Sequence, residues 1–378
     1  MHDLVCIGLE GTHPLGMLAS LGLFRLLVMR DPEIRMSWIR DQGWHPVFHA
    51  SNPWEVEALA GELAAMARDL GAVKAADIAA RQRTAREAKA KLKPLVERIK
   101  QRSAQALLDA KALGLKPSEA KAHARAATGE LEAQLLSARS EHEASQSLLA
   151  DALGQGIAHL GDIIGVQPEV FRAKALAALA GPLTEESRLI LECLPAQASD
   201  GCLENDRLAP TPYSFGNGAG GQCLLKDFRT LAAGLTPEEM AAGLFSTTPL
   251  LKEATSLNWD PQDQRSYALQ WRNPESEAKR VNVVANVLAF VGLALLPAVP
   301  GPRRLGAVGF GAGTSNWTWP LWQPPLPLDT VRSLLADASL QCASPDTAQL
   351  SARGIAAHCR TKRFSLNKRF FFAPVETR

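Results

Sequence analysis

The six cysteines (Cys6, Cys193, Cys202, Cys223, Cys342 and Cys359) contain no C-x-x-C pair. Zinc fingers and ribbons need ligands paired at such spacing, and a chain of 378 residues does not need disulfide staples to hold a core. Buried, reduced thiols and no metal are therefore expected. Charge of one sign is lacking as well: 41 Lys and Arg face 39 Asp and Glu, a net charge of +2. A whole-chain polyelectrolyte is excluded, and any surface for nucleic acid must come from local clustering. The opening, MHDLVCIGLEGTHPLG, has Asp3 and Glu10 where a signal peptide carries basic residues, so a cytoplasmic protein is expected. The longest apolar run, residues 281–299, is broken by Asn282, Asn286 and Pro297. It sits at the lower edge of the ~17–25 residues that span a bilayer, so a buried core helix is expected and no membrane partner. Absent too are G-x-x-x-x-G-K-[ST], H-E-x-x-H, G-x-S-x-G and the kinase signatures. His45 and His49 are four apart, but Pro46 between them disfavours a shared helical face for a metal. No catalytic residue and no cofactor is assigned.

What is present divides into three textures. Residues 1–53 mix short apolar runs with turns: LVCIGLEG reads as a strand, HPLGMLASLGLFRLLVMR as a helix, and IRMSWIRDQGWHPVFHA as hairpin strands. Residues 54–194 are rich in Ala, Leu, Lys, Arg and Glu and read as a large basic helical insert. Pro94, Pro117, Pro168 and Pro182, with Gly71, Gly114, Gly129 and Gly154, are expected to cut it into several helices. Residues 195–378 read as a helix-rich C-terminal α+β domain that packs with 1–53. In it, TPEEMAAGLF carries capping-box chemistry at Thr236 and Glu239. SLNWDPQDQRSYALQW reads as strand-like around a turn, and LGAVGFG as a strand. TWPLWQPPLPLDTVRSLLA reads as a Pro-rich crossing into a helix capped by Asp329, and FSLNKRFFFAP as an edge strand. The fold class is α+β, with mixed small sheets around the helical insert.

Charge is concentrated in the insert. Residues 74–125 hold fourteen Lys or Arg against five Asp or Glu. The densest piece is RQRTAREAKAKLKPLVERIKQR, with Arg81, Arg83, Arg86, Lys89, Lys91 and Lys93. It has fewer acidic partners than a self-neutralising surface helix would use, so a solvated face and an anionic partner both remain open. The tail, residues 353–378, has seven basic residues against one acid, among them Arg360, Lys362 and Arg363.

The sharpest local signal is SFGNGAGGQCLLKDFR. Gly216, Gly218, Gly220 and Gly221 free the backbone to approach a ligand closely, and a helix follows at once. Lys226 and Arg229 can hold a phosphate, while Asn217 and Gln222 can offer hydrogen bonds to base edges. A nucleic-acid-facing loop and a plain surface turn both fit. The Trp317, Trp319 and Trp322 segment can stack bases, but such Trp-Pro stretches more often pack over a core.

LEGTHPLGMLASLGLFRLL followed by MSWIRDQGWHPVF resembles the opening of the large-subunit-type proteins of type I-G (formerly I-U) CRISPR interference complexes. GNGAGGQCLLKDFRTL, SLNWDPQDQRSYALQW, ANVLAFVGLALLP and TWPLWQPPLPLDTVRSLL resemble their C-terminal half, in that order. The resemblance spans residues 1–53 and 211–340 and leaves the helical insert without a counterpart. It implies a non-catalytic subunit that contacts CRISPR RNA and target double-stranded DNA, recognises the motif flanking the target, sits against the backbone subunits and helps recruit a separate helicase–nuclease. The alternatives are an enzyme of unrecognised type using the glycine loop with Asp227 or Asp260, and a protein–protein scaffold presenting the Trp-Pro surface.

Overall fold

The computed structural model describes residues 2–71, 75–154, 167–180, 185–193, 196, 203–204, 206–208, 211–215, 224–261, 280–300, 305–310, 315–342, 345–366 and 369–378. In chain order the elements begin β1 (His2–Val5), α1 (Pro14–Val28), β2 (Arg35–Arg40), β3 (Trp44–Ala50), α2 (Val56–Gly71), α3 (Ala75–Ala112) and α4 (Pro117–Gly154). There follow α5 (Pro168–Ala180), α6 (Glu185–Cys193), β4 (Leu203–Glu204), β5 (Arg207–Leu208), α7 (Leu224–Ala233) and α8 (Pro237–Phe245). The chain continues with β6 (Leu251–Glu253), β7 (Arg280–Asn282), α9 (Val283–Gly292), β8 (Ala298–Pro300), β9 (Leu305–Ala307) and β10 (Asn316–Trp322). It closes with α10 (Leu328–Leu335), α11 (Thr347–Ala352), β11 (Ile355–Leu366), β12 (Arg369–Phe372) and β13 (Glu376–Thr377). The fold is α+β, with small separate sheets among many helices.

Two compact units emerge: Met1–Ala72 with Leu160–Arg378, and Val73–His159. The helical texture of the sequence begins near residue 54 and ends near 194, but its first helix, α2, belongs to the larger unit. There α2 packs on α7 and α8 through Leu59, Leu63, Ala67 and Leu70.

At the centre of the larger unit, α1 lies against α9. Pro14 starts α1 with its φ already helical, and every residue from Pro14 to Leu27 is buried. The Asn282 side chain accepts from Ala285 N (3.0 Å) to cap α9, which is buried throughout its length. The expected core helix in 281–299 is thus present but short, and among the described residues no helix is long and apolar enough to cross a membrane. The two helices meet glycine to glycine. A Cβ on Gly22 would strike the Leu288 carbonyl, and one on Gly292 would strike that of Leu18. Arg25, one turn further along α1, is 4% exposed and pairs with Glu192 of α6. It also donates to Leu189 O (3.1 Å) and Val291 O (3.4 Å).

The first sheet has order β1-β3-β2, antiparallel throughout. The expected hairpin is there, turned at Asp41–Gly43 with Gln42 at φ 55°. The opening strand stops at Val5: Cys6 N still bonds to Pro46 O of β3, but Pro46 has no N–H to return the bond, and Gly8 N turns to Leu244 O. Thr236 and Glu239 form the expected capping box at the start of α8. Four predictions need correction. The Trp-Pro segment is strand β10, paired with β11. α10 is entered at Pro327, and Asp329 lies in its first turn, 3.5 Å from Arg332, rather than capping it. Within FSLNKRFFFAP, residues 364–366 belong to β11, which is interior, between β10 and β12, and only β12 (Arg369–Phe372) is the expected edge strand. Ser256–Pro261 is irregular rather than strand, fixed by Asn286 Oδ1 accepting from Leu257 N (3.1 Å); residues 262–279 lie outside the described set.

The smaller unit is a helical hairpin of α3 and α4. Its seam is made of small side chains. Ala124, Thr128, Leu131, Ala138 and Ser145 of α4 are buried at alternating steps of four, three and seven, facing Ala85, Ala88, Ala106 and Ala110 of α3. That is a heptad pattern, with alanine letting the backbones come close. Packing along this seam explains why neither Pro94 nor Gly129 breaks a helix. Both are exposed on the outside, where water can satisfy the carbonyl that Pro94 leaves unbonded.

Candidate nucleic-acid interface

The basic cluster of the insert lies on α3, and the helix sorts it by face. At ~100° per residue, Arg83, Arg86, Lys89 and Lys93 fall within an arc of about 120° on one flank of the seam. All four are exposed, and among the described residues none has an ion-pair or hydrogen-bond partner. From Arg83 to Lys93 the helix rises ~15 Å, the length of four or five base steps. Lys91 turns to the other flank and is held by Glu141 of α4 (2.9 Å). Arg81 points toward the seam and is half-buried. Four of the six expected contacts thus form a stripe, while Lys91 is held within the hairpin and Arg81 lies on the seam side of α3. Lys100 continues the stripe but pairs with Glu97 (3.3 Å).

The tail cluster belongs to β11, in the larger unit. Arg360 and Lys362 share its outer face with Phe364, the register placing them opposite Thr318 and Asn316 of β10. Arg363 faces the other way, its guanidinium 3.5 Å from the Phe370 ring centroid and 5.4 Å from that of Phe215. Phe215 also packs on Phe372, with centroids 4.5 Å apart. The residue just before the glycine-rich segment and the basic tail are therefore neighbours, which their separation in sequence concealed. Asn217, Gly218, Gly220, Gly221 and Gln222 lie outside the described residues, as does the side chain of Lys226. Arg229 is half-buried on α7, beside Phe228, whose ring stacks on Phe290 at 4.0 Å.

The tryptophans of β10 are core. Trp317, Trp319 and Trp322 are all but fully buried. Trp319 Nε1 donates to Gly11 O (2.8 Å) and Trp322 Nε1 to Met36 O (2.8 Å). They tie β10 to the N-terminal segment and leave no ring face for a base or a partner protein.

His49 bridges Asp3 (Nδ1 to Oδ1, 2.7 Å) and Ser37 (Nε2 to Oγ, 2.8 Å), the bonding order of a serine-hydrolase triad. Ser37, however, is 5% exposed in mid-strand. Met36 turns its N–H and C=O to Leu326, so the neighbouring groups of Ser37 face β3 and are spent in the ladder. No backbone donor is presented to an oxyanion there, and the three side chains serve as a cross-strand tie. His45 is spent on Leu9 O and Asp41 O (3.0 and 3.1 Å), and no group of three metal-ligating side chains occurs among the described residues. Asp260 pairs with His13 (3.3 Å), and Asp227 lies half-buried in the first turn of α7. Burial raises the Cys193 thiol to about 11, against the opposing charge of Arg25, and the Cys359 thiol to about 12, so neither is a ready nucleophile.

The outer face of β11 carries one titrating residue of consequence. His358 is buried, its Nε2–H donating to Leu340 O (2.7 Å). Burial first, then the charges of Arg378 and Arg360, hold its pKa below the ordinary 6.5, against the pull of the Leu340 bond. The folded state therefore favours neutral imidazole. Its contribution to stability is full above pH 6.5 and is lost as pH falls through the depressed folded-state value. Thermal melts are expected to weaken from about pH 7.5 to about pH 5 in the wild type and to do so less in His358→Gln. Equal slopes for the two proteins would refute this assignment.

No protein-family model matches the chain, and no curated protein matches it.

Proposed function

We propose that the chain is a non-catalytic nucleic-acid-binding subunit of an RNA-guided CRISPR interference complex, acting in the cytoplasm. In this reading it contacts the CRISPR RNA and the target duplex, reads the flanking motif, and works beside backbone subunits and a separate helicase–nuclease. The observation that carries the reading is the row of Arg83, Arg86, Lys89 and Lys93 on one flank of α3, without partners among the described residues, in a chain whose total charge is only +2. Cations left unneutralised at phosphate-like intervals are what a backbone-tracking surface requires. The resemblance of residues 1–53 and 211–340 to large-subunit-type proteins supplies the kind of complex. Arg360 and Lys362, on the outer face of β11, offer a second basic surface; Arg363, on the opposite face, packs on Phe215 at the root of the glycine-rich segment, and Asn217 and Gln222 are the candidate readers of base edges.

The test is salt dependence. Binding of the full chain to duplex DNA and to guide-length RNA is measured between about 50 and 200 mM salt, for wild type and for Arg83→Gln/Arg86→Gln/Lys89→Gln/Lys93→Gln. Each phosphate contact removed should reduce the log–log slope on duplex by about 0.9. Lys91→Gln, which removes a cation already committed to Glu141, should leave the slope nearly unchanged. A quadruple variant with the wild-type slope would make the stripe a solvated surface.

A further inference from the structure

We infer that the closed end of the α3–α4 hairpin is a docking site for a protein partner that offers an apolar pocket with an acidic rim. Leu107, Leu108, Leu113 and Leu115 fall within nine residues and are 43%, 62%, 69% and 36% exposed. Among the described residues of the hairpin, Leu136 of α4 is also strongly exposed (72%) but stands alone, whereas these four leucines cluster at one end. The turn itself is firmly built. Leu115 N bonds to Ala110 O (3.1 Å) and Gly114 N to Lys111 O (3.1 Å), with Gly114 at φ 70°, a Schellman-type close that holds the leucines in place.

Charge selects the partner. Lys111, Lys116 and Lys121 surround these leucines, are exposed, and have no side-chain partner among the described residues. The acids beside them are fewer: Asp109, which accepts from Gln105 Nε2 (2.9 Å), and Glu119, which accepts from Lys116 N (2.9 Å), keep their charge, and the three lysines outnumber the two. The surface on offer is leucine ringed by free ammonium groups. Its complement is an apolar pocket edged with carboxylates, with the leucines as anchors and the lysines steering approach. A nucleic acid would meet the lysines but leave the leucines wet.

The choice of probe rests on the function proposed above. The complex is assembled from the full-length chain, the proteins encoded beside it and their guide RNA. Wild type is compared with Leu108→Ser/Leu113→Ser and with Lys111→Glu/Lys116→Glu; these positions are exposed, and circular dichroism checks that each variant retains its helix. Both variants are expected to weaken retention of one and the same protein at least about tenfold, while affinity for RNA and DNA changes less than about twofold. Retention of every protein by both variants overturns the inference. So does loss of nucleic-acid affinity in their place, or a wild-type chain that retains none of these proteins. A partner held through the leucines by a chain that ignores RNA and DNA would sustain the docking site and refute the nucleic-acid function, so the two fail separately.

Discussion

Gly22→Val unfolds the larger unit. No other single change has so large an expected effect on stability. A Cβ at Gly22 would lie 2.7 Å from the Leu288 carbonyl carbon and 2.9 Å from Gly292 N, with the carbonyl oxygen closer still. The obstacle is helical backbone on both sides, so no side chain can rotate away. The crossing is reciprocal: a Cβ at Gly292 would lie 2.9 Å from Gly22 N and 3.2 Å from the Leu18 carbonyl carbon. Relief therefore requires α1 and α9 to separate, and both are buried over almost their whole length. Overpacking commonly costs 1–3 kcal/mol where side chains can adjust; here about 3 kcal/mol is expected for Gly22→Ala and more for valine. In a unit of this size, Gly22→Ala should lower Tm by about 5 °C or more, and Gly22→Val should be recovered unfolded. An alanine variant melting within a degree or two of wild type would show that the helices do not meet at this contact.

Arg25→Met is the second large effect, and its cause is polar. Met fills much of the same space, so the loss falls on the charge and its hydrogen bonds. Arg25 supplies donors to Leu189 O, Val291 O and Cys193 Sγ and pairs with Glu192. Two of those acceptors are main-chain carbonyls, and that of Val291 lies at the C-terminal end of α9, where a cation also meets the negative pole of the dipole. Breaking a buried pair by removing one partner typically costs 3–5 kcal/mol. Glu192 is 41% exposed on its side chain and only 3.9 Å from Arg332, so it can find another partner. The expected loss is therefore at the lower end, about 3 kcal/mol by denaturant titration. Arg25→Lys should recover part of it, since a single ammonium keeps the charge but cannot reach several acceptors at once. Met and Lys variants as stable as wild type would make Arg25 a bystander.

Where the sequence could be read, it was because local chemistry and final environment agree. Pro14 ahead of an apolar run, the turn at Asp41–Gly43 and the Thr236–Glu239 box each specify their element within a few residues. Elements set by distant partners were misread. Pro320 made β10 look like a crossing, since proline removes a ladder donor. But β10 is the edge of its sheet, and His358 opposite turns both backbone groups to Arg378, so Pro320 sits where no bond is lost. Pro94 looked like a helix end because nothing nearby shows that α4 packs along α3. The seam itself escaped notice because alanine, threonine and serine carry little hydropathy contrast. The four-three spacing from Ala124 through Thr128 to Leu131 was the signal available. The basic cluster was plain in composition, yet only the helix phase separates Arg83, Arg86, Lys89 and Lys93 from Lys91, which Glu141 holds. The nearness of Phe215 to Arg363 had no local signature at all.

The claim that α3 tracks a nucleic-acid backbone is tested most directly by ultraviolet cross-linking of the chain, purified with the proteins encoded beside it, followed by mass mapping of nucleotide-bearing peptides. Nucleotide adducts on peptides covering residues 83–93, lost in the quadruple glutamine variant, are the expected result. Preparations without nucleic acid, or adducts that leave those peptides untouched, would contradict it.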